Sequence, residues 1–137
     1  MLERLKAIPK EIVAAADYEK FAKERLDDNA WQYLIGGAGD EITLQANIAA
    51  FKSICLNSRV LTDVSDGHTR LSLFNRSYDH PIFLAPIAYQ RLFHQDGELA
   101  SALGASVMSA PIAISTLSST LLKDVATVQN SRLWFRE

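Results

Sequence analysis

The chain has 137 residues, 48% of them apolar and 22% charged, which is the make-up of an ordinary globular protein and a normal size for one domain of about 100 to 150 residues. Its 14 basic and 16 acidic residues leave a formal charge of -2, so no single-sign field draws in nucleic acid or an anionic membrane surface. The single cysteine, Cys55, excludes an internal disulfide and a cysteine-based metal site; it fits a reducing compartment and reads most simply as a buried thiol.

Met1 to Lys10 carries Glu3, Arg4, Lys6 and Lys10 among its apolar residues, so it lacks the continuous apolar core of a secretory signal, and a cytoplasmic location is expected. Asp17 is placed to cap a helix from Tyr18 to Leu26 with Phe21, Ala22 and Leu26 on one face. Asp28 is placed to cap a second helix from Ala30 to Ile35, whose apolar side is Trp31, Leu34 and Ile35, with Gly36-Gly37 as a left-handed exit. A third helix is predicted from about Glu41 to Phe51. Residues 1–52 therefore read as an amino-terminal helical segment.

Between Ser53 and His80 short runs are broken by Asn57-Ser58, Ser65-Asp66-Gly67 and Asn75-Arg76-Ser77, which are turn-forming clusters. Residues 53–80 read as loops with short strands. From Pro81 the pattern alternates: a strand at Ile82 to Ala85, a helix from Gly97 to about Met108, a strand at Ile112 to Ser115, a helix from Thr120 to Val128 and a strand at Leu133 to Phe135. Strands separated by 10–15-residue helical stretches indicate a parallel sheet built from βαβ units, so residues 81–137 hold two to three such units of an α/β fold. The first two strands lack polar alternation, as in a sheet covered on both faces. The helix after Gly97 is rich in small residues, among them Ala102, Gly104 and Ala105, which permit close packing. The longest apolar run, Pro81 to Tyr89, is about half of what a bilayer-spanning helix needs, so no transmembrane segment is predicted.

Candidate chemistry gathers at strand ends. The run Pro-Ile-Phe-Leu-Ala-Pro-Ile-Ala from Pro81 ends in Pro86, Ile87 and Ala88, followed by Tyr89-Gln90 and an acidic helix start; this is how a barrel strand hands its carboxyl end to a ligand, and also how a plain strand exit with a proline stop reads. Ser115 ends the next strand in Ala-Ile-Ser-Thr-Leu-Ser-Ser, where Thr116, Ser118 and Ser119 are equally good helix caps. Tyr33 lies in Trp-Gln-Tyr-Leu-Ile-Gly-Gly-Ala-Gly-Asp and is either an amphipathic core tyrosine or a phenol donor. His94 belongs to a turn, Asp96 and Glu98 form an acidic helix start that favours the macrodipole, and His68 and His80 lie in loops without partner residues, so no metal site is expected.

These three motifs, Tyr33, Pro86 to Ala88 and Ser115 in chain order within a match from about Tyr18 to Phe135, resemble the amino-terminal part of the FMN-dependent 2-hydroxy acid oxidases and dehydrogenases, the glycolate oxidase and lactate oxidase family. The resemblance implies the first part of a TIM (β/α)8 barrel preceded by a small helical segment. It implies FMN as cofactor, with Pro86, Ile87 and Ala88 along the flavin ring and the Ser115 hydroxyl bonded to it. It also implies that Tyr33 reaches the carboxylate of a small 2-hydroxy acid. The chain departs from the pattern at Gly39, where many relatives are acidic, at Gln95 in place of a proline, and at Arg136 in place of a glutamine.

A complete barrel needs roughly 250 residues. The family's base histidine, substrate-clamping arginines, flavin lysine and phosphate loops come from later strands, so no catalytic residue is assigned here. The expectation is an incomplete barrel, from a truncated gene, a shifted frame or a trimmed chain, that is inactive alone and binds FMN weakly. The competing expectation is a non-catalytic module that pairs with itself or a partner through exposed strand edges.

Overall fold

The computed structural model describes residues 7–129 and, for its backbone, the strand 133–136. The first part of the leader reading, Met1 to Lys6, lies outside the described residues. The chain divides into two units, Met1–Leu61 and Thr62–Glu137.

In the first unit, a short 3-10 turn leads into α1 (Tyr18–Lys23), followed by α2 (Asp28–Ile35) and α3 (Ile42–Ser53). Asp17 does not cap α1: its carboxylate accepts the amides of Val13 and Ala14 at 2.9 and 2.8 Å, turning back on the segment before the helix. Those two bonds hold its pKa below the usual carboxylate value. α1 also ends three residues before the expected Leu26. The cap of α2 is Asp27, whose Oδ1 accepts the Ala30 amide at 2.9 Å, and Asp28 is the first helical residue. Gly36 leaves α2 in an extended conformation, φ -70°, so the exit is not left-handed; the left-handed residues come later, at Gly39 and Glu41. Ala30 and Trp31 are the buried residues of α2, and Cys55 is exposed, contrary to the buried thiol expected.

The second unit opens with a hairpin of β1 (Leu71–Leu73) and β2 (Arg76–Tyr78). Phe74 and Asn75 form its two-residue turn, both at positive φ, the conformation whose twist matches that of the flanking strands. The buried Tyr78 ring then packs 5.1 Å from Phe83. Beyond it comes α4 (Gly97–Val107), β3 (Ile112–Ser115), α5 (Leu122–Val128) and β4 (Leu133–Arg136), with β3 and β4 parallel in the register Ile112↔Leu133 to Ser115↔Arg136.

The expected first strand, Ile82 to Ala85, is reduced to one parallel bridge between Leu84 and Ile112. Leu84 makes both bonds of that bridge: its amide donates to Pro111 O and its carbonyl accepts the Ala113 amide, each at 3.0 Å. The three extended segments thus follow one another in space in chain order.

One cluster forms the core: Ala102 and Ala105 of α4, Ala110, Ile112 and Ile114 of β3, and Val125 of α5, with Leu99 and Val128 packed against it. Alternation along β3 sends Ile112 and Ile114 to the helices and Ala113 and Ser115 to the opposite face, which stays half-buried. Along β3 the helix-facing residues are thus fully buried and the opposite face only half-buried, where the apolar runs predict burial on both. Ile82 on the bridged segment is 64% exposed, whereas Ile112 is 1% exposed.

That difference predicts unequal costs for the same substitution. Ile112→Ala lowers unfolding stability by about 2–5 kcal/mol, the range for an emptied core site. Ile82→Ala changes it by less than about 1 kcal/mol. Urea denaturation of the two variants checks this, and equal losses would contradict the one-sided core.

Candidate functional site

The carboxyl ends of the Leu84 segment and of β3 lead into two loops that are hydrogen-bonded to each other. The Tyr89 amide donates to Leu117 O at 3.0 Å, and the Arg91 amide donates to Ser119 Oγ at 3.2 Å. Pro86 and Ala88 are half-buried and Ile87 is 48% exposed on the first loop. Tyr89 holds a left-handed backbone, φ 53°, a conformation that costs a non-glycine residue about 1 kcal/mol or more and recurs where ligand loops are held in one shape.

Ser115 is half-buried at the end of β3, and its Oγ accepts the Leu117 amide at 3.1 Å. Its hydroxyl hydrogen is not used by that bond, so Ser115 retains the capacity to donate. The other hydroxyls of this stretch do not cap α5, whose preceding residue is Leu121 without a side-chain cap. Ser118 instead closes on Thr120, and Ser119 reaches back to Arg91.

Beneath both loops lies Glu98, in the first turn of α4 as the acidic helix start predicts. It is 1% exposed. Its Oε1 accepts the Ser119 amide at 2.8 Å and the Gln90 amide at 3.3 Å, and its Oε2 accepts the Thr120 hydroxyl at 2.9 Å. Gln90, itself buried, accepts Ser101 Oγ at 2.6 Å through its side chain. Burial by itself would push the Glu98 pKa up, but these hydrogen bonds and that of its own amide outweigh burial and hold it below the usual 4.5.

Gly97 makes the inward turn possible: its φ is +47°, and a Cβ there would stand 2.9 Å from Arg91 Cγ. The signal available in sequence was the glutamate directly after a glycine at the head of a helix of small residues. The macrodipole explains that acidic residue equally well, so the burial was not legible.

Tyr33, on α2 of the first unit, is 52% exposed. His94 and Asp96 form a local turn, the Asp96 amide donating to His94 Nδ1 at 3.2 Å. His80 donates from Nε2 to Met108 O at 2.8 Å while its Nδ1 accepts the Ile82 amide at 3.3 Å. Among the described residues no group of three or more His, Cys, Asp or Glu side chains could hold a metal ion, and no helix is long and apolar enough to cross a membrane.

Parallel extended segments alternating with helices, with two linked loops at their carboxyl ends, make the βα arrangement whose carboxyl face carries the ligand site in barrels and doubly wound sheets. The chain belongs to the FMN-dependent dehydrogenase family, whose model matches residues 22–136. It is 41% identical over 129 residues to an L-lactate oxidase of Alicycliphilus denitrificans, covering 94% of this chain and 35% of that protein. A 4-hydroxymandelate oxidase of Amycolatopsis orientalis is 40% identical over 124 residues, covering 90% of this chain and 34% of that one.

Among solved structures, a mandelate oxidase crystallised with 2-hydroxy-phenylacetamide superposes with a TM-score of 0.81 at 41% identity, over 88% of this chain and 36% of its own. Another mandelate oxidase structure, with a C4a-OH-FMN adduct, superposes equally well at 0.81. The chain spans about a third of the length of the relatives it matches.

The Glu98 network carries a pH signature. A carboxylate whose folded pKa lies below its unfolded value stabilises the fold fully above about 4.5 and loses that contribution as pH falls through the folded pKa. Glu98→Gln removes an ionised acceptor and lowers stability by about 1–3 kcal/mol at neutral pH. The gap between parent and variant then narrows as pH falls below about 4.5. Thermal melts from about pH 7 to about pH 3 check this; a gap that stays constant with pH would contradict it.

Proposed function

We propose that these residues form the amino-terminal third of an FMN-dependent enzyme that oxidises a small 2-hydroxy acid, with residues 81–137 as the first units of a (β/α)8 barrel. Family membership and the activities of the similar proteins, L-lactate oxidase and 4-hydroxymandelate oxidase, support this reading. The observation that carries it is the linked pair of strand-end loops, because a flat cofactor needs two rims held at a fixed spacing.

In this reading Pro86, Ile87 and Ala88 line one side of the flavin, and the methyl group of Ala88 is small enough for a flat ring to approach. Ser115 donates its unused hydroxyl hydrogen to the cofactor while its lone pair holds the Leu117 amide. The chemistry FMN supplies when bound is acceptance of a hydride equivalent, the oxidation that turns a 2-hydroxy acid into a 2-oxo acid. Tyr33 offers an exposed phenol that hydrogen-bonds the substrate carboxylate without changing charge. The proton-accepting and phosphate-holding groups are supplied by the remaining two thirds of the protein, so residues 1–137 alone do not turn over substrate.

The test is a hybrid in which residues 22–136 replace the matching third of the Alicycliphilus denitrificans oxidase. The hybrid is expected to purify yellow and to bleach anaerobically with L-lactate. Tyr33→Phe in the hybrid raises KM for lactate by about tenfold with a smaller change in kcat, the loss expected for a hydrogen bond to a charged group. Ala88→Leu reduces FMN retention. A folded but colourless hybrid, or a Tyr33→Phe variant with unchanged KM, would refute the respective assignment.

A further inference from the structure

The Ala88 end of the first loop and the Ser115 end of the second meet at one residue, Leu117. The Leu117 amide donates to Ser115 Oγ at 3.1 Å, and the Leu117 carbonyl accepts the Tyr89 amide at 3.0 Å. That Tyr89 N–H shares a planar peptide with the Ala88 carbonyl. No cis peptide occurs among the described residues, so the carbonyl points away from Leu117. The backbone of Leu117 thereby orients both the Ser115 hydroxyl and the Ala88–Tyr89 peptide.

Leu117 is 51% exposed, so burial does little to fix it. Two residues on, Ser119 donates its amide to Glu98 Oε1 at 2.8 Å and accepts the Arg91 amide on its Oγ at 3.2 Å. The same Glu98 oxygen accepts the Gln90 amide at 3.3 Å, while Oε2 accepts the Thr120 hydroxyl at 2.9 Å. Gln90 and Ser119 follow closely on the two partners of the Tyr89–Leu117 bond, and one buried carboxylate ties them together.

We propose that Glu98 is a positioning residue for the cofactor: its carboxylate holds Leu117 where that backbone presents the Ser115 hydroxyl and the Ala88–Tyr89 peptide to FMN. This rests on reading the two loops as the flavin rim. The reach of the side chain matters more than its charge, because both loop amides meet one oxygen and a neutral amide oxygen in that place accepts them too.

The experiment uses the hybrid carrying residues 22–136, stripped of FMN and titrated with FMN by quenching of flavin fluorescence, with the visible spectrum of the bound flavin recorded alongside. Glu98→Asp keeps the charge and draws both oxygens back, whereas Glu98→Gln keeps the reach and loses the charge. Val125→Ala, which empties a buried site on α5 away from the loop bonds, is the stability control. Glu98→Asp is expected to raise the Kd for FMN by about tenfold and to shift the visible band of the flavin. Glu98→Gln should raise that Kd by less than about threefold even though it destabilises the fold, and Val125→Ala should lower the Tm while leaving both flavin readings at the parent's. Should Glu98→Asp fail to fold, Ser119→Ala takes its place: it deletes the acceptor of the Arg91 amide, keeps its own amide on Glu98, and should raise the Kd by about threefold.

Unchanged FMN binding by Glu98→Asp, or by Ser119→Ala in its stead, overturns the proposal. So does a loss in Val125→Ala as large as that in Glu98→Asp, because FMN binding would then follow stability alone, and so does a larger loss in Glu98→Gln than in Glu98→Asp. A folded parent hybrid that binds no FMN sinks the flavin reading and the proposal together, whereas a yellow parent hybrid whose Glu98→Asp variant binds FMN equally well sinks the proposal alone.

Discussion

Glu98 is the constraint on which the second unit depends. A carboxylate removed from water loses a hydration shell worth several kcal/mol, and it stays ionised only where hydrogen-bond donors replace that shell. Here the donors are three residues from two loops: Gln90 after the first extended segment, and Ser119 and Thr120 after β3, all meeting at the head of α4. The side chain acts as an internal cross-link between two loops that sequence separates by about thirty residues. It also satisfies two loop amides that would otherwise be buried without partners, which is why its removal costs more than one bond.

The loop that carries Pro86, Ile87 and Ala88 is held at its far end by this network. Tyr89 stays left-handed because its amide is committed to Leu117 and the next residues are tied to Glu98 and Ser119. Gln90 is fixed a second time by Ser101. The strain of one backbone residue is thus offset by several bonds outside it, the arrangement expected where a loop must present a fixed edge to a ligand.

Sequence made β3 and the βα alternation legible because apolar β-branched runs between helical stretches have few other interpretations, and Ile112 to Ser115 matches its observed strand. The same logic also marked Ile82 to Ala85, where only Leu84 is bridged. An apolar run reports a demand for burial without saying which residues meet it. The cap of α2 slipped by one residue because Asp27 and Asp28 are chemically equivalent caps and only the path of the chain decides between them. Glu98 does stand in the first turn of α4, as an acidic helix start implies, but its burial was not legible, because the inward turn depends on the backbone angle at Gly97.

The linked loops and the edge at Ile82 and Leu84 lie on different parts of the same βα framework and differ in what holds them. The rim is closed internally, each loop bonded to the other and to Glu98, so its spacing does not depend on further strands. The edge at Ile82 and Leu84 has the opposite character: its apolar side chains remain in water although their sequence is that of a buried strand. A strand built for burial and left exposed is a mismatch between local composition and local packing. The contrast between Ile112 and Ile82 places that mismatch at the first strand, not at the loops, and so separates it from the residues that hold the rim.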